Sequence, residues 1–255
     1  MPKSTSLDLI WKSFKITSMK KNLNLIPDVH SIQGKILCTL LFQKEARFSQ
    51  LNINKVSTDH FNFHLKRLVE VGLVEKNGNT KYSLTAIGRE FANRFDTEKA
   101  VIEKQAKISV VVCGAKKKNR LNQFLVQQRL KQPYFGFYGF VSGKIKWSET
   151  VLDAAAREFK EETCLEAKLS LAGIEHKMDY SKEGNLLEDK FFFIIKATDI
   201  SGRLKESFEG GRNLWLIRNK IIKFPKLFGD VKAILKILEG QRLVFFEKKY
   251  RVSDY

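Results

Sequence analysis

Apolar residues recur along this chain with two different periods, and the change between them divides it. Between Ser31 and Phe42, Ile32, Ile36, Leu37, Leu40 and Leu41 fall at the spacing of one helix face. Arg47 to Leu51 has room for a short second helix. Val56-Ser57-Thr58-Asp59 supplies capping residues, and Phe61, Leu65, Leu68 and Val69 follow at helical period until Gly72. Leu73–Lys76 and Lys81–Leu84 flank Asn77-Gly78-Asn79-Thr80, which predicts two short strands around a turn. Thr85 then opens a last helix toward Phe95. Residues 28–96 therefore predict a small, mainly helical domain with one hairpin, and the polar stretch Asp96–Ala106 predicts a connector.

Beyond the connector the pattern becomes strand-like, and residues 101–255 predict a second domain. Ile108–Cys113 is a β-branched apolar run, as in a strand buried on both faces. Lys116–Arg120 predicts a basic loop, Phe124–Gln128 a partner strand, and Phe137–Val141 a short approach to a helix. That helix should span Thr150–Glu162, with Ser148 as its cap. Lys168–Tyr180 and Asp189–Thr198 predict long strands, Asn213–Ile217 a short one, and Val231–Leu238 a closing helix. Strands and helices that mix without strict alternation indicate an α+β fold.

Composition narrows the partners. The chain has 255 residues, a net charge of +18 and 43% hydrophobic residues. Two real cores are affordable at that content, and the cationic excess, spread over both halves, suits a polyanion. Cys38, Cys113 and Cys164 are odd in number and far apart, which excludes a disulfide framework and points to a reducing cytoplasm. No apolar run approaches the roughly 20 residues of a membrane span, so no membrane partner is expected. Residues 1–27 mix basic, polar and scattered apolar residues. They read as either a poorly ordered leader or a short docking helix, not as a signal peptide.

The most informative stretch is GKIKWSETVLDAAAREFKEETCL, Gly143 to Leu165. Glu158, Glu161 and Glu162 stand at i, i+3 and i+4, so a helix brings three carboxylates onto one face. Such charges repel unless a cation lies among them, and oxygen ligands on a rigid element suit Mg²⁺ or Mn²⁺. The plainer reading is a solvated face paired with Arg157 and Lys160. The flanking residues tip the balance. Gly143, Glu149, Arg157-Glu158-Phe159, Glu161-Glu162 and Leu165 resemble the Nudix box, the signature of the Nudix hydrolases. Cys164 stands where that pattern has glycine, and Val141-Ser142 where it usually has Pro-Gly.

The resemblance implies an α/β/α sandwich with a mixed sheet and hydrolysis of a diphosphate linkage in a nucleoside diphosphate derivative. It implies that Glu158 and Glu162 bind the metal and that Glu161 is either a further ligand or positions the attacking water. The Gly143 carbonyl would join the metal shell, and Glu149 would pair with Arg157 in support of the catalytic carboxylates. Arg129 is a candidate for a phosphate, Tyr138 (or Phe135 or Phe137) for stacking on a base, and Glu209 for a loop acid near the metal. Cys164 at a left-handed cap would cost on the order of 1 kcal/mol.

The first domain, with its order of helix, helix, helix, hairpin and helix, resembles a winged helix-turn-helix. By that resemblance Ser57, Thr58, Asn62, Lys66 and Arg67 would face double-stranded DNA, and Lys76 and Lys81 would meet phosphates from the wing. The same element order also serves protein-interaction modules. His60 and His64, one turn apart, resemble half of a metal site, but no cysteine or carboxylate cluster supports one, and His64 is expected to pack or cap. Two functions stay open: a hydrolase with a DNA-binding appendage, and a regulator that senses a nucleotide metabolite such as ADP-ribose. A homodimer is compatible with either.

Overall fold

A computed structural model describes residues 29–53, 55–253 and 255, so the reading of 1–27 lies outside the described residues. The described residues fall into two compact units, divided between Lys104 and Gln105.

In the first unit the helices are α1 (Ser31–Phe42), α2 (Phe48–Leu51), α3 (Thr58–Glu70) and α4 (Ala86–Ala92). Strand β1 (Ala46–Arg47) pairs with β3 (Lys81–Leu84), which pairs with β2 (Val74–Asn77) in an antiparallel hairpin. Gly78 turns that hairpin at φ 59°, and Gly72 leaves α3 at φ 75°, backbone regions open to glycine at no steric cost. Ile36, Leu37, Phe61, Leu65, Leu68 and Leu73 fill the core. The expected connector at 96–106 is partly structured instead. Phe95–Asp96 (β4) and Val101–Ile102 (β5) pair as a ribbon, because Phe95 and Ala100 are buried in this same core.

The second unit is built on a nine-stranded mixed sheet. Its strands are β6 (Lys107–Lys118), β7 (Leu121–Arg129), β8 (Tyr138–Gly139), β9 (Val141–Lys144), β10 (Glu166–Tyr180), β11 (Leu186–Ser201), β12 (Ser207–Phe208), β13 (Gly211–Ile217) and β14 (Val244–Arg251). The order is β12-β13-β7-β6-β11-β10-β14, with β8 beside β7 and β9 beside β6. β6 runs parallel to β11 and β10 parallel to β14, while the other pairs are antiparallel.

Side chains alternate across a strand, and β6 uses both faces. Val110 and Val112 pack with Ala154, Ala155 and Phe159 of helix α5 (Val151–Thr163). Val111 and Cys113 pack on the opposite side with Ile234, Leu235 and Leu238 of α7 (Val231–Glu239), near Ile221 of α6 (Arg218–Ile221). The layers are therefore helix, sheet and helix. Removing the Phe159 ring from such a site costs about 3–5 kcal/mol.

Three sequence expectations are corrected. Lys116–Arg120 is not a loop. The strand continues to Lys118 and turns through Asn119 and Arg120, at φ 50° and 63°, with Lys116 Nζ lying over the Trp215 ring at 3.9 Å. Helix 231–239 does not close the fold, because β14 follows it as an edge strand. The helix of the acidic motif is capped by Thr150, whose hydroxyl accepts from the Asp153 amide, and not by Ser148, which has φ 66°.

A polar cluster interrupts this apolar frame. Glu175 on β10 accepts from the Tyr250 hydroxyl at 2.9 Å, and its other oxygen has no hydrogen-bond partner among the described residues. Burial and the nearby Asp230 charge push its carboxyl up to about 7, partly opposed by Tyr250 and Lys177. A carboxyl group raised in the folded state gives stability at low pH that is lost as pH climbs through the folded value. The window here runs from about 4.5 to 7. Glu175→Gln should therefore be near neutral at pH 5 and raise the second unit's Tm at pH 8 by roughly 2–4 °C, measured by calorimetry at both values.

Candidate functional site

The acidic motif forms one connected structure, with Arg157 at its centre. Its guanidinium donates from Nε to Glu149 Oε1 at 2.6 Å and from Nη2 to Glu149 Oε2 at 2.9 Å. Nη1 donates to Glu158 Oε1 at 2.6 Å and to Glu161 Oε2 at 3.3 Å, and Nη2 also reaches the Lys144 carbonyl at 3.1 Å. The planar fork of arginine makes this two-pronged grip on a carboxylate possible. The hydrogen bonds from Arg157, with a further one from the Lys146 amide, lower Glu149 to about 2, so it stays ionised across the physiological range.

Gly143 explains why the motif opens with glycine. A Cβ there would lie 1.9 Å from the Glu158 carboxyl carbon and 2.1 Å from Oε1. A side chain at 143 would therefore have to displace the Glu158 carboxylate. Glu158 is thus held between a bare backbone and the Arg157 guanidinium.

Glu162 is fixed from the other side. Gln127 on β7 donates to its Oε2 at 2.8 Å and to Asn213 Oδ1 at 3.3 Å. Asn213 on β13 donates to the Glu162 carbonyl at 2.8 Å and to the Lys205 carbonyl at 2.8 Å. Gln127 and Asn213 face each other across the two strands, so one cross-strand pair holds both the backbone and the carboxylate of Glu162. Burial raises the Glu162 pKa, Glu158 adds to it, and Gln127, Lys131 and Arg129 oppose it. A cation beside it would relieve both the burial and the like-charge cost, and its second oxygen together with the free side of Glu158 offers hard ligands. The residues present therefore fit a divalent ion.

These carboxylates line a cavity of about 570 Å³, within the size range of small-molecule sites. Glu158, Glu162 and Gly143 line it together with Lys107, Arg129, Lys131, Lys144, Lys146 and Lys190, of which Lys107 and Lys190 pair with Glu188. Arg129 faces the cavity, but its Nε is committed to the carbonyls of Lys131 at 3.0 Å and Pro133 at 2.5 Å. Burial lowers its pKa, opposed by Glu162 and Glu188. The far end carries Phe192, Phe228 and a buried ionic group. Lys177 Nζ there stands 3.4 Å from Asp230 and 3.9 Å from Asp179, and the Tyr134 hydroxyl donates to Asp179 at 2.7 Å.

Tyr138, Glu209 and Glu161 stand outside the cavity lining. Tyr138 stacks on Phe224, with ring centroids 3.8 Å apart and planes 3° from parallel, so one ring face is already covered. Glu209 is exposed at the turn between β12 and β13. Glu161 touches Arg157 but is half exposed, beside rather than within the cavity. Sequence reasoning missed Gln127, Asn213, Lys177, Asp179 and Asp230. A lone polar residue in a strand carries no signal until its neighbour across the sheet is known.

Cys164 ends α5 at φ 59° and ψ 17°, its amide bonded to the Lys160 carbonyl at 2.9 Å. It is exposed and occupies the left-handed cap that glycine takes without cost. Cys164→Gly should raise the second unit's stability by about 1 kcal/mol, read as a Tm increase of roughly 2–4 °C in a thermal melt.

The sequence profile of the NUDIX domain matches residues 103–224. An ADP-ribose pyrophosphatase of Methanocaldococcus jannaschii is 30% identical over 116 residues, 45% of this chain and 64% of that protein. The match thus spans less than two thirds of that relative. Among solved structures, a mutator MutT protein from Bacillus halodurans superposes at TM-score 0.49 and 23% identity, over 57% of this chain and 90% of its own. The NUDIX domain of Shewanella oneidensis NrtR, solved with ADP ribose, superposes at TM-score 0.48 and 14% identity, over 61% and 97%. Likenesses of that size decide nothing about function. Residues 103–224, which hold the capped acidic helix and most of the mixed sheet, are thus the part of this chain that matches the NUDIX domain.

Proposed function

We propose that the second unit hydrolyses the diphosphate linkage of a nucleoside diphosphate derivative of the ADP-ribose kind, with Mg²⁺ or Mn²⁺ as cofactor. The observation that carries this reading is one cavity lined by Glu158, Glu162 and Gly143 together with Arg129 and several lysines. A diphosphate needs cations around its oxygens, and a divalent ion needs carboxylates. This cavity supplies both. The activity named for the Methanocaldococcus jannaschii relative supports the same substrate class.

Glu158 and Glu162 would hold the ion, with the Gly143 carbonyl at its edge and Glu161 either joining it or positioning the water. When bound, the ion supplies charge neutralisation at phosphorus and a more acidic water. Arg157 keeps Glu158 in place, while Gln127 and Asn213 keep Glu162 in place. Arg129, Lys131 and Lys190 would hold the diphosphate oxygens, and Phe192 and Phe228 would offer apolar surface to the nucleoside end.

We further propose that the first unit binds double-stranded DNA. Ser57, Thr58, Lys66 and Arg67 lie exposed at the start and outer face of α3, Asn62 is half-buried there, and Lys76 is exposed on the hairpin. Lys81 is drawn to Glu45, and Arg67 lies 3.5 Å from Glu70, so both would exchange a local partner for phosphate.

Incubation with Mg²⁺ and a panel of nucleoside diphosphate derivatives should release phosphate-containing products from at least one. Binding of ADP-ribose without turnover would replace hydrolysis by sensing. Glu162→Gln should cut turnover about 100-fold or more while the chain still folds, and a retained rate would remove Glu162 from the metal site. Gly143→Ala pushes only the flexible end of Glu158, so it should fold normally yet lose about 100-fold in rate. For the first unit, changing Lys66 and Arg67 to alanine should weaken DNA binding and lower its log–log salt slope by about 2. An unchanged slope would rule out these contacts.

A further inference from the structure

The first unit gathers three histidines that play no part in diphosphate chemistry. His30 is the residue before α1, and His60 and His64 lie one turn apart on α3. His64 Nε2 faces His60 Nε2 at 3.2 Å. The His30 and His64 rings stack with centroids 4.1 Å apart and planes 17° from parallel. One ring nitrogen from each of the three lies within 4.8 Å of the other two.

Ordinary core packing does not account for His64. It is only 5% exposed, yet among the described residues its polar contact is another ring nitrogen and its Nδ1 has no hydrogen-bond partner. Burial, then the proximity of His30 and His60, lowers its pKa, so it keeps a lone pair at neutral pH. Two nitrogens bound to one tetrahedral ion, each about 2.0–2.1 Å from it, stand roughly 3.3 Å apart. The His60–His64 separation is already close to that. His30 Nδ1 accepts from the Ile32 amide at 3.3 Å, a long bond that coordination by this ring would exchange for a metal bond. His30 and His60 are both exposed, so an ion can enter from solvent.

We propose that His30, His60 and His64 form a binding site for a borderline divalent transition-metal ion such as Zn²⁺, separate from the carboxylate site of the second unit. Three imidazoles select that class, whereas Mg²⁺ and Mn²⁺ prefer oxygen. The fourth position is left to water. The ion braces the start of α1 against the first turns of α3, two segments that the chain joins only through some thirty intervening residues.

The test uses the full-length, untagged chain, stripped with a chelator and titrated with Co²⁺ as a spectroscopic probe and then with Zn²⁺. The site predicts one equivalent of Co²⁺ with the intense ligand-field bands of a four-coordinate nitrogen site, and their loss when Zn²⁺ displaces it. His60→Ala and His30→Ala, both at exposed positions, should each weaken binding about tenfold or more, with unchanged circular dichroism. The signal should persist in Glu162→Gln, which alters only the carboxylate site. Weak six-coordinate bands alone, or bands unaffected by both histidine variants, would overturn the proposal and leave the cluster as packing. Should one histidine variant fail to fold, the other decides.

Discussion

The grip of Arg157 on three carboxylates is the constraint on which the arrangement of the second unit's acidic cluster depends. Without it, Glu149, Glu158 and Glu161 would repel one another across a short loop and a single helix face. With it, two of the five guanidinium donors lock Glu149, one reaches Glu158 and Glu161, and one also takes the Lys144 carbonyl. The loop that starts at Gly143 is thereby tied to α5. Glu158 is left with one oxygen engaged and one side toward the cavity, and Glu149 is spent on structure. Partly buried, doubly bonded pairs of this kind hold geometry better than the exposed ion pairs elsewhere on the chain.

The sheet supplies the other half of the arrangement. Ala154, Ala155 and Phe159 press α5 onto β6, and the close approach allowed by two alanines brings Glu162 down to β7 and β13. There the Gln127–Asn213 pair meets it. A helix fixed on one side by a guanidinium and on the other by a cross-strand amide pair has little freedom to roll. The carboxylate face is therefore held in one arrangement by the chain's own contacts.

Charge is distributed with equal economy around the cavity. Glu158 and Glu162 share the lining with Arg129 and Lys131, while Lys107 and Lys190 meet the buried Glu188 at 2.8 and 3.3 Å. A buried Lys177 is balanced by Asp179 and Asp230 at the far end. Burial lowers Lys177, but Asp230, Asp179 and Glu175 together raise it, so it stays charged. In the same cluster Glu175 Oε2 has no hydrogen-bond partner among the described residues, while Oδ1 of Asp179 and Oδ1 of Asp230 face the Lys177 ammonium at 3.9 and 3.4 Å. Stability has been traded there for a polar interior in an otherwise apolar layer.

What the sequence determined by itself was local. The spacing of Gly143, Glu149, Arg157, Glu158, Glu161 and Glu162 follows from the geometry of one loop and one helix, so it was legible without tertiary contacts. So were α1, the hairpin around Gly78, and the buried strand at Ile108–Cys113, whose apolar run reports burial on both faces. The edge strand β14 was not legible, because Glu247, Lys248 and Lys249 blur the alternation of a strand with little to bury. Nor was the cavity. Tyr138 reads as a free aromatic until Phe224 covers it, and Asn213, Gln127 and Asp230 acquire meaning only when distant segments pair. The histidines make the point most sharply. His60 and His64 lie one helical turn apart and could be seen as a pair. The third, His30, arrives only because α1 packs on α3, and helix packing is set by the whole apolar core, not by any motif in the chain.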